Sequence, residues 1–208
     1  PEAFINMLLL LGWSSGDEKE LFSMEEAIAA FELEGVTKSG ARFNPDKTKW
    51  FNEQYLRQLP TDAAVAAFRE SAKGEVDQWD DARCIHVLNM MLERVSFMHE
   101  ISAHRYLFEA PATLDEKLVA KKWKPETAGY VLQLKAVLAS VESFDSSSIE
   151  TEFKAFLEEN NLGFGAVLLP FRLVLTGTGG GPSMFDFASF LGREETMRRI
   201  DLGLAKVS

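Results

Sequence analysis

Apolar side chains recur along most of the chain with the 3.6-residue period of an α-helix. The first such stretch begins at Pro1 and places one apolar face on the helix, formed by Phe4, Met7, Leu8 and Leu11. Gly12 stops the pattern. The N-terminal segment is therefore predicted to be an amphipathic helix that ends near residue 12.

Capping residues predict the next two helices. Ser23 and Glu26 form a capping box, in which each side chain accepts a hydrogen bond from a backbone N–H of the other residue, and the helix should reach about Phe31. Asn44 followed by Pro45 is a second N-cap, with proline at the first helical position. We expect that helix to end near residue 57, ahead of the next proline.

The rest of the chain shows the same periodicity. Further helices are predicted from Thr61 or Asp62 to Ala72, from about Trp79 through Val95, from Pro125 to about Val141, from a capping box of Ser147 and Glu150, at 164–175 and at 183–205. Residues 146–148, all serine, are expected to form a linker. No stretch alternates like a strand, and 34–43 is the only weak candidate for extended pairing. The sequence predicts an all-α chain.

Composition agrees with a folded helical protein. Hydrophobic residues make up 46% and charged residues 26% of the 208 residues, which is material for a real core. The only cysteine, Cys84, lies in a helical apolar pattern and is expected to be a buried structural thiol in a reducing compartment. No apolar run is long enough to span a bilayer. Without a starting Met or a signal-peptide pattern, we expect a segment of a longer cytoplasmic protein.

Charge is unevenly distributed. The net charge of −10 argues against wholesale wrapping of nucleic acid. Residues 1–35 carry a local charge of −7, whereas residues 36–57 carry +3. This basic island is compatible with one restricted RNA contact, and equally with a solvated helix face. Its candidate phosphate-binding side chains are Lys38, Arg42, Lys47, Lys49 and Arg57.

Catalytic chemistry has no support from the residues themselves. The run Gly177–Pro182, GTGGGP, resembles a phosphate-binding loop, but proline occupies the third glycine position and no lysine of a P-loop follows. A hinge between two helices is the expected role. The three histidines lack metal-site spacing, so we expect neither a metal site nor catalytic residues.

The segment from Leu10 to Asn52 resembles the region that follows the catalytic domain in bacterial glutamyl-tRNA synthetases. The resemblance is carried by Gly12-Trp13-Ser14, Gly16-Asp17, Phe22-Ser23-Met24-Glu25-Glu26, Phe31-Glu32-Leu33-Glu34, Lys38-Ser39, Ala41, Phe43, Lys47, Trp50 and Asn52. Later blocks are similar too: Leu92–Val95, Arg105–Phe108, Leu173–Gly177, Pro182–Phe185 and Leu191–Thr196. The resemblance covers nearly the whole chain, more loosely at 60–82 and 111–164.

This resemblance implies an all-α architecture in which a stem-contact helical region precedes two small helical anticodon-binding subdomains. We place them at 1–59, 60–145 and 146–208. The family's catalytic motifs would precede Pro1, so the fragment alone is expected to be inactive. The parent would use ATP and magnesium to attach glutamate to its tRNA, and we expect no cofactor in the fragment.

The resemblance also implies the residues that would contact the anticodon. Arg94 matches the position of an arginine that reads the last anticodon base, a cytosine in glutamate tRNAs. The turn formed by Pro182, Ser183, Met184 and Phe185 matches the one that packs against the anticodon bases. An apolar edge there would stack splayed bases.

Two hypotheses from different classes follow. The first is a monomeric, cytoplasmic tRNA-binding fragment of a glutamate–tRNA ligase, with glutamate tRNA as its partner and no membrane contact. The second is a helical protein-interaction module without RNA binding, which the acidic surface also suits.

Overall fold

A computed structural model describes residues 2–38 and 42–207. The described part contains eleven α-helices and no β-strand, which confirms the predicted fold class. The helices are α1 Glu2–Gly12, α2 Met24–Ala30, α3 Pro45–Arg57, α4 Thr61–Ser71, α5 Asp81–Met91, α6 Glu100–Ala103, α7 Glu116–Lys122, α8 Thr127–Ser140, α9 Ser146–Glu159, α10 Phe164–Thr176 and α11 Met184–Leu204.

The chain forms two compact units. The first comprises residues 1–77 and 92–101, and the second comprises 78–91 and 102–208. These boundaries do not coincide with those expected from the resemblance, and the three-part division stays a prediction.

The predicted caps of the first unit are confirmed. Ser23 and Glu26 form both hydrogen bonds of the capping box on α2. The Asn44 side chain accepts hydrogen bonds from the backbone N–H groups of the first turn of α3, and Pro45 opens that helix. One expectation is wrong: α4 begins after Pro60, which offers no side-chain cap, and neither Thr61 nor Asp62 caps the helix.

Helix α1 packs against α3 and buries only part of its predicted apolar face. Met7 is 5% exposed, but Phe4 and Leu8 remain 56% and 48% exposed. Close to this contact, Val36 pairs with Trp13 in an antiparallel bridge. Within the described residues of 34–43, this bridge is what remains of the weak extended pairing expected there.

A buried amide fixes the chain between α1 and α3. Asn6 is 3% exposed, and its side-chain nitrogen donates to the Glu20 carbonyl at 2.8 Å. Its oxygen accepts from the Phe22 N–H at 2.7 Å. The Tyr55 hydroxyl lies 2.6 Å from both that oxygen and the Phe22 carbonyl and can donate to either. Asn6 therefore holds the segment that leads into α2 against α3.

In the second unit, α8, α9, α10 and α11 pack against one another, with α5 against α11. Three phenylalanines of the core, Phe153, Phe171 and Phe187, have no exposed surface. Helix α11 is interrupted at Gly192, whose φ of 78° and ψ of 166° are not helical. The thiol of Cys84 is buried, as expected.

Two further expectations are corrected in the second unit and at its edge. Residues 146–148 do not form a linker but begin α9. The cap is Asp145, which accepts from the Ser148 N–H at 2.9 Å, and not a box of Ser147 and Glu150. The long helix expected through Val95 ends at Met91 and is followed by a 3₁₀ turn, Leu92–Arg94.

Replacing Asn6 with alanine should destabilise the first unit by about 1–3 kcal/mol, because the Phe22 N–H loses its buried acceptor. Tyr55→Phe, which removes one half-buried hydroxyl, should cost less. Urea unfolding followed by tryptophan fluorescence measures both changes. An Asn6→Ala effect no larger than that of Tyr55→Phe would contradict the assigned role.

Candidate nucleic-acid interface

The basic island of the first unit is exposed to solvent. Lys38, Arg42, Lys47, Lys49 and Arg57 all have exposed side chains, whereas the neighbouring Ser39, Gly40 and Ala41 lie outside the described residues. A continuous positive surface can bind phosphates only where its charges are not already neutralised. The contacts that each basic side chain makes within the protein therefore decide whether it is available to a phosphate.

The ammonium of Lys47 already has partners within the protein. Its ammonium lies 2.5 Å from a carboxylate oxygen of Glu20 and 5.7 Å from the centroid of the Phe51 ring. Lys49 forms no ion pair with any described residue. Lys49 is thus immediately available to a phosphate, while Lys47 would have to exchange its carboxylate.

Arg57 connects the island to the turn that carries Arg94. Its guanidinium donates to the Glu93 carbonyl at 3.4 Å and lies 3.8 Å from the Glu53 carboxylate. The next residues are fixed as well, since the Ser96 hydroxyl donates to Glu53 at 2.6 Å. The Asn52 side chain also donates to the Ser96 carbonyl. Helix α3 thereby contacts both the 3₁₀ turn and the residues that follow it.

Arg94 itself points into solvent. It is exposed, although the next residue, Val95, is only 4% exposed. Its guanidinium forms no hydrogen bond or ion pair with any residue in the described ranges. A rigid backbone with an uncommitted guanidinium is what recognition of a planar acceptor requires, because no internal contact has to be broken.

The predicted anticodon-contacting turn of the second unit, Pro182–Phe185, is mostly buried. Met184 and Phe185 are 1% and 8% exposed, and Pro182 is buried too. The Phe185 ring centroid lies 5.4 Å from that of Phe153. Ser183 is half-buried and caps α11 by accepting from the Asp186 N–H at 3.4 Å. These apolar side chains form core contacts, and their role toward bases stays a prediction.

The glycine-rich loop before that turn follows a tight path. Gly177 ends α10 in the left-handed conformation, with φ of 76°, and donates to the Leu173 carbonyl at 2.8 Å. A Cβ on Gly177 would lie 2.6 Å from the Thr113 carbonyl oxygen. The loop then folds on itself, since the Thr178 hydroxyl donates to the Gly180 carbonyl at 3.0 Å. Glycine is needed at 177 for both conformation and space.

This loop forms one wall of a cleft of about 600 Å³ within the second unit. The opposite wall consists of residues 103–106 and 109–113, and the loop contributes Thr176, Thr178, Gly180 and Gly181. The volume is in the range of small-molecule and nucleobase-sized sites. Along the chain, the loop residues that line the cleft come directly before Pro182–Phe185, the turn that the resemblance assigns to the anticodon.

Two residues at this cleft were not among the predicted site residues. A Cβ on Gly181 would lie 3.1 Å from the Tyr106 hydroxyl and 3.3 Å from a guanidinium nitrogen of Arg172. Arg172 lies within an apolar helix, and Tyr106 in a separate block of sequence, so spacing along the chain gave no signal that they meet. Tyr106, which lines the cleft, and Arg172 both approach Gly181 of the loop.

A buried arginine ties the two walls of the cleft. Arg199 on α11 is 2% exposed. Its guanidinium donates to the Tyr106 carbonyl at 2.6 Å and to the Leu175 carbonyl at 3.2 Å. Its Nε donates to the Glu195 carboxylate at 2.7 Å. One cation thus joins the wall at 103–113 to the end of α10, where the glycine loop begins.

Glu195 compensates the buried charge. Hydrogen bonds from Arg198, and then from Arg199, hold the pKa of the Glu195 carboxyl below its ordinary value of 4.5. Burial lowers the pKa of the Arg199 guanidinium, and the carboxylate beside it opposes that shift. The ion pair is therefore intact at neutral pH.

Residues 48–204 match the family described as the anticodon binding domain. The chain belongs to this family of anticodon-binding domains. Its relatives include glutamate–tRNA ligases, with 41% identity over 206 residues in Flavobacterium johnsoniae and 39% over 208 residues in Flavobacterium psychrophilum. Each match covers 99% of this chain and 41% of the relative.

Solved structures agree. The crystal structure of a glutamate–tRNA ligase from Elizabethkingia meningosepticum, in complex with its amino acid, superposes with a TM-score of 0.94 at 37% identity. It is matched over 100% of this chain and 41% of that one. The enzyme from Elizabethkingia anophelis gives a TM-score of 0.90 at 35% identity, over 99% and 40%. The chain thus spans about two fifths of the length of these relatives.

The described residues contain neither a candidate metal site nor a candidate membrane span. No three histidine, cysteine or acidic side chains among them cluster as a metal site would require. No helix in the described part of the chain is long and apolar enough to cross a membrane.

Gly177→Ala should destabilise the second unit by about 2–4 kcal/mol, because alanine is strained at positive φ and its Cβ would collide with Thr113. Gly129→Ala is the matched control, since Gly129 lies within α8 with nothing within 4 Å of an added Cβ. That control should stabilise by about 0.5–1 kcal/mol. Equal effects in thermal unfolding would contradict the assigned close approach.

Glu195→Gln should lower the free energy of unfolding by about 1–3 kcal/mol at neutral pH, because Arg199 loses its charged partner. Since folding lowers the pKa of Glu195, its stabilisation is complete above the unfolded value near 4.5 and is lost as pH falls through the folded value. The difference from the unmodified chain should therefore shrink below pH 4.5. Urea unfolding at several pH values, with exposed Glu194→Gln as control, tests this; a pH-independent difference refutes it.

Proposed function

We propose that this chain binds the anticodon arm of glutamate tRNA as the RNA-holding part of a glutamate–tRNA ligase. The observation that carries the proposal is the match of 99% of the chain to ligases of that name, at 41% identity. Membership of the anticodon-binding family supports RNA as the partner. The named relatives support glutamate tRNA in particular.

Arg94 is the residue we assign to reading the last anticodon base. Its guanidinium carries several N–H donors in a plane, and cytosine offers adjacent acceptors at O2 and N3. The contact of the turn with α3 and the lack of an internal partner support this role, since binding would cost little reorganisation. Base contacts of this kind specify sequence, whereas phosphate contacts only position the strand.

The cleft of the second unit is the candidate site for an unstacked base. Proteins that recognise RNA by sequence mostly take bases from single-stranded loops, splay them out and hydrogen-bond their edges. Backbone carbonyls and the threonines of the glycine loop supply polar groups along the cleft wall. Burial of Met184 and Phe185 supports contact through this wall in preference to stacking on the apolar turn.

Lys38, Arg42, Lys47, Lys49 and Arg57 are assigned to the phosphate backbone. They give the first unit a local positive surface within a protein of net charge −10. Binding should therefore be restricted in area and strongly dependent on salt concentration. Base reading by Arg94 would add specificity without adding much to this dependence.

The chemistry of the whole ligase belongs to the proposal as well. The parent would attach glutamate to the tRNA, with ATP and magnesium used by residues outside these 208. We assign no step of that reaction to this chain. A monomer acting in the cytoplasm, where tRNA is charged, agrees with the proposal.

Arg94→Ala should weaken binding of the cognate tRNA transcript by about 1–3 kcal/mol, roughly 5- to 150-fold, because the contact to the third anticodon base is lost. The same variant should no longer distinguish a transcript whose third anticodon base is changed. Electrophoretic titration or filter binding measures the affinities of the unmodified chain and of the variant for both transcripts. Lys73→Ala, which removes one exposed charge from another part of the unit, is the control.

Two outcomes would count against these assignments. If Arg94→Ala keeps the unmodified preference for the cognate anticodon, Arg94 does not read that base. If the unmodified chain binds no tRNA even at low salt, RNA binding by this chain is wrong, and the helical protein-interaction module becomes the better hypothesis.

A further inference from the structure

A second basic surface lies in the second unit, outside the predicted island. It is formed by Lys117, Lys121 and Lys122 of α7 with Lys124 just beyond the helix, here called the α7 lysine surface. Residues 116–124 contain these four lysines and one glutamate, which gives a local net charge of +3 in a chain whose net charge is −10. All four are exposed, and none forms an ion pair with a described residue.

Helix stability accounts for only part of this charge. Lysines in the last turn of a helix interact favourably with its dipole, which suits Lys121 and Lys122. Lys117 lies in the first turn, where a positive charge is unfavourable, and Lys124 lies past the C-cap at Trp123. Two of the four lysines therefore need another explanation.

Helix α7, which carries the α7 lysine surface, contacts the glycine loop that lines the cleft. The Asp115 N–H, at the cap of α7, donates to the Gly177 carbonyl at 2.9 Å. A Cβ on Gly179 would lie 2.5 Å from a methyl carbon of Leu118, so the glycine loop lies against α7. Thr113, which lines the cleft, lies three residues before Glu116, where α7 begins.

Helical geometry relates the lysines to that contact. Lys122 lies four residues after Leu118, hence on the same side of α7 and one turn further along. Lys117 and Lys121 share a neighbouring face by the same spacing. The positive charges thus lie on the helix that contacts the glycine loop, whose Thr178, Gly180 and Gly181 line the cleft.

We propose that the α7 lysine surface binds phosphates of the RNA strand whose bases enter the cleft. This inference rests on the proposed function, because it requires RNA at that cleft. The ammonium groups act as unpaired point charges on the backbone and do not read bases. The surface would fix the register of the strand while the cleft selects the base that enters it.

The test compares two double variants of the whole chain, Lys121→Gln/Lys122→Gln and Lys19→Gln/Lys73→Gln, which lose the same charge. Lys19 is paired with Glu26 in the acidic part of the first unit, and Lys73 is exposed near the end of α4. Binding of glutamate tRNA is measured between 50 and about 300 mM salt. Circular dichroism checks that each variant is folded.

The α7 double variant should bind about tenfold more weakly, with the slope of log affinity against log salt reduced by about one per lost phosphate contact. Discrimination between cognate and altered anticodons should not change. Adding Lys117→Gln and Lys124→Gln should reduce the slope further, whereas the control pair should leave it unchanged.

The inference fails if the α7 variant keeps the unmodified slope, or if the control pair lowers affinity equally, since general charge then explains the effect. Those results would leave the proposed function standing, because the unmodified chain would still bind tRNA. Absence of binding by the unmodified chain would instead refute both.

Discussion

The second unit depends on the buried guanidinium of Arg199. Burying a charge is costly unless it is paired and hydrogen-bonded, and Arg199 meets this condition with one carboxylate and two backbone carbonyls. The carbonyls belong to distant parts of the chain, at Tyr106 and at Leu175. The compensation of one charge therefore sets the distance between the two walls of the cleft. The path of the glycine loop follows, because the loop begins two residues after Leu175.

Much of the fold could be predicted because local rules decide it. Ser23, Glu26 and Asn44 cap helices by contacts within four residues, so their sequence signatures were sufficient. The serines at 146–148 misled for the opposite reason. Asp145 accepts from the Ser148 N–H, so the helix begins two residues earlier than a Ser147 cap would place it. The Ser146 hydroxyl also donates to Asp186 at 2.5 Å, a contact that local sequence does not reveal.

The candidate site was less predictable than the fold. The resemblance singled out Arg94, but the periodicity at Leu88, Leu92 and Val95 favoured an uninterrupted helix, and the 3₁₀ turn depends on α3 through Arg57 and Asn52. The cleft is more remote still from sequence rules. Its walls are held together by Arg199, which binds the Tyr106 and Leu175 carbonyls, and by Gly177, which allows the loop to approach Thr113 closely. These contacts join residues far apart in the chain, so no sequence spacing predicts them. The lysines of α7 were visible in the sequence, but the contact of their helix with the glycine loop was not.

Burial decides what the glycine loop and the following turn can offer to RNA. Met184 and Phe185 are committed to the core, so stacking on them would require the start of α11 to open and a phenylalanine cluster to lose contacts. The backbone of the loop needs no such change. Gly180 and Gly181 line the cleft, and Arg199 holds the wall at Tyr106 and the end of α10. Recognition through the wall of the cleft would therefore demand less reorganisation than recognition through the buried apolar turn.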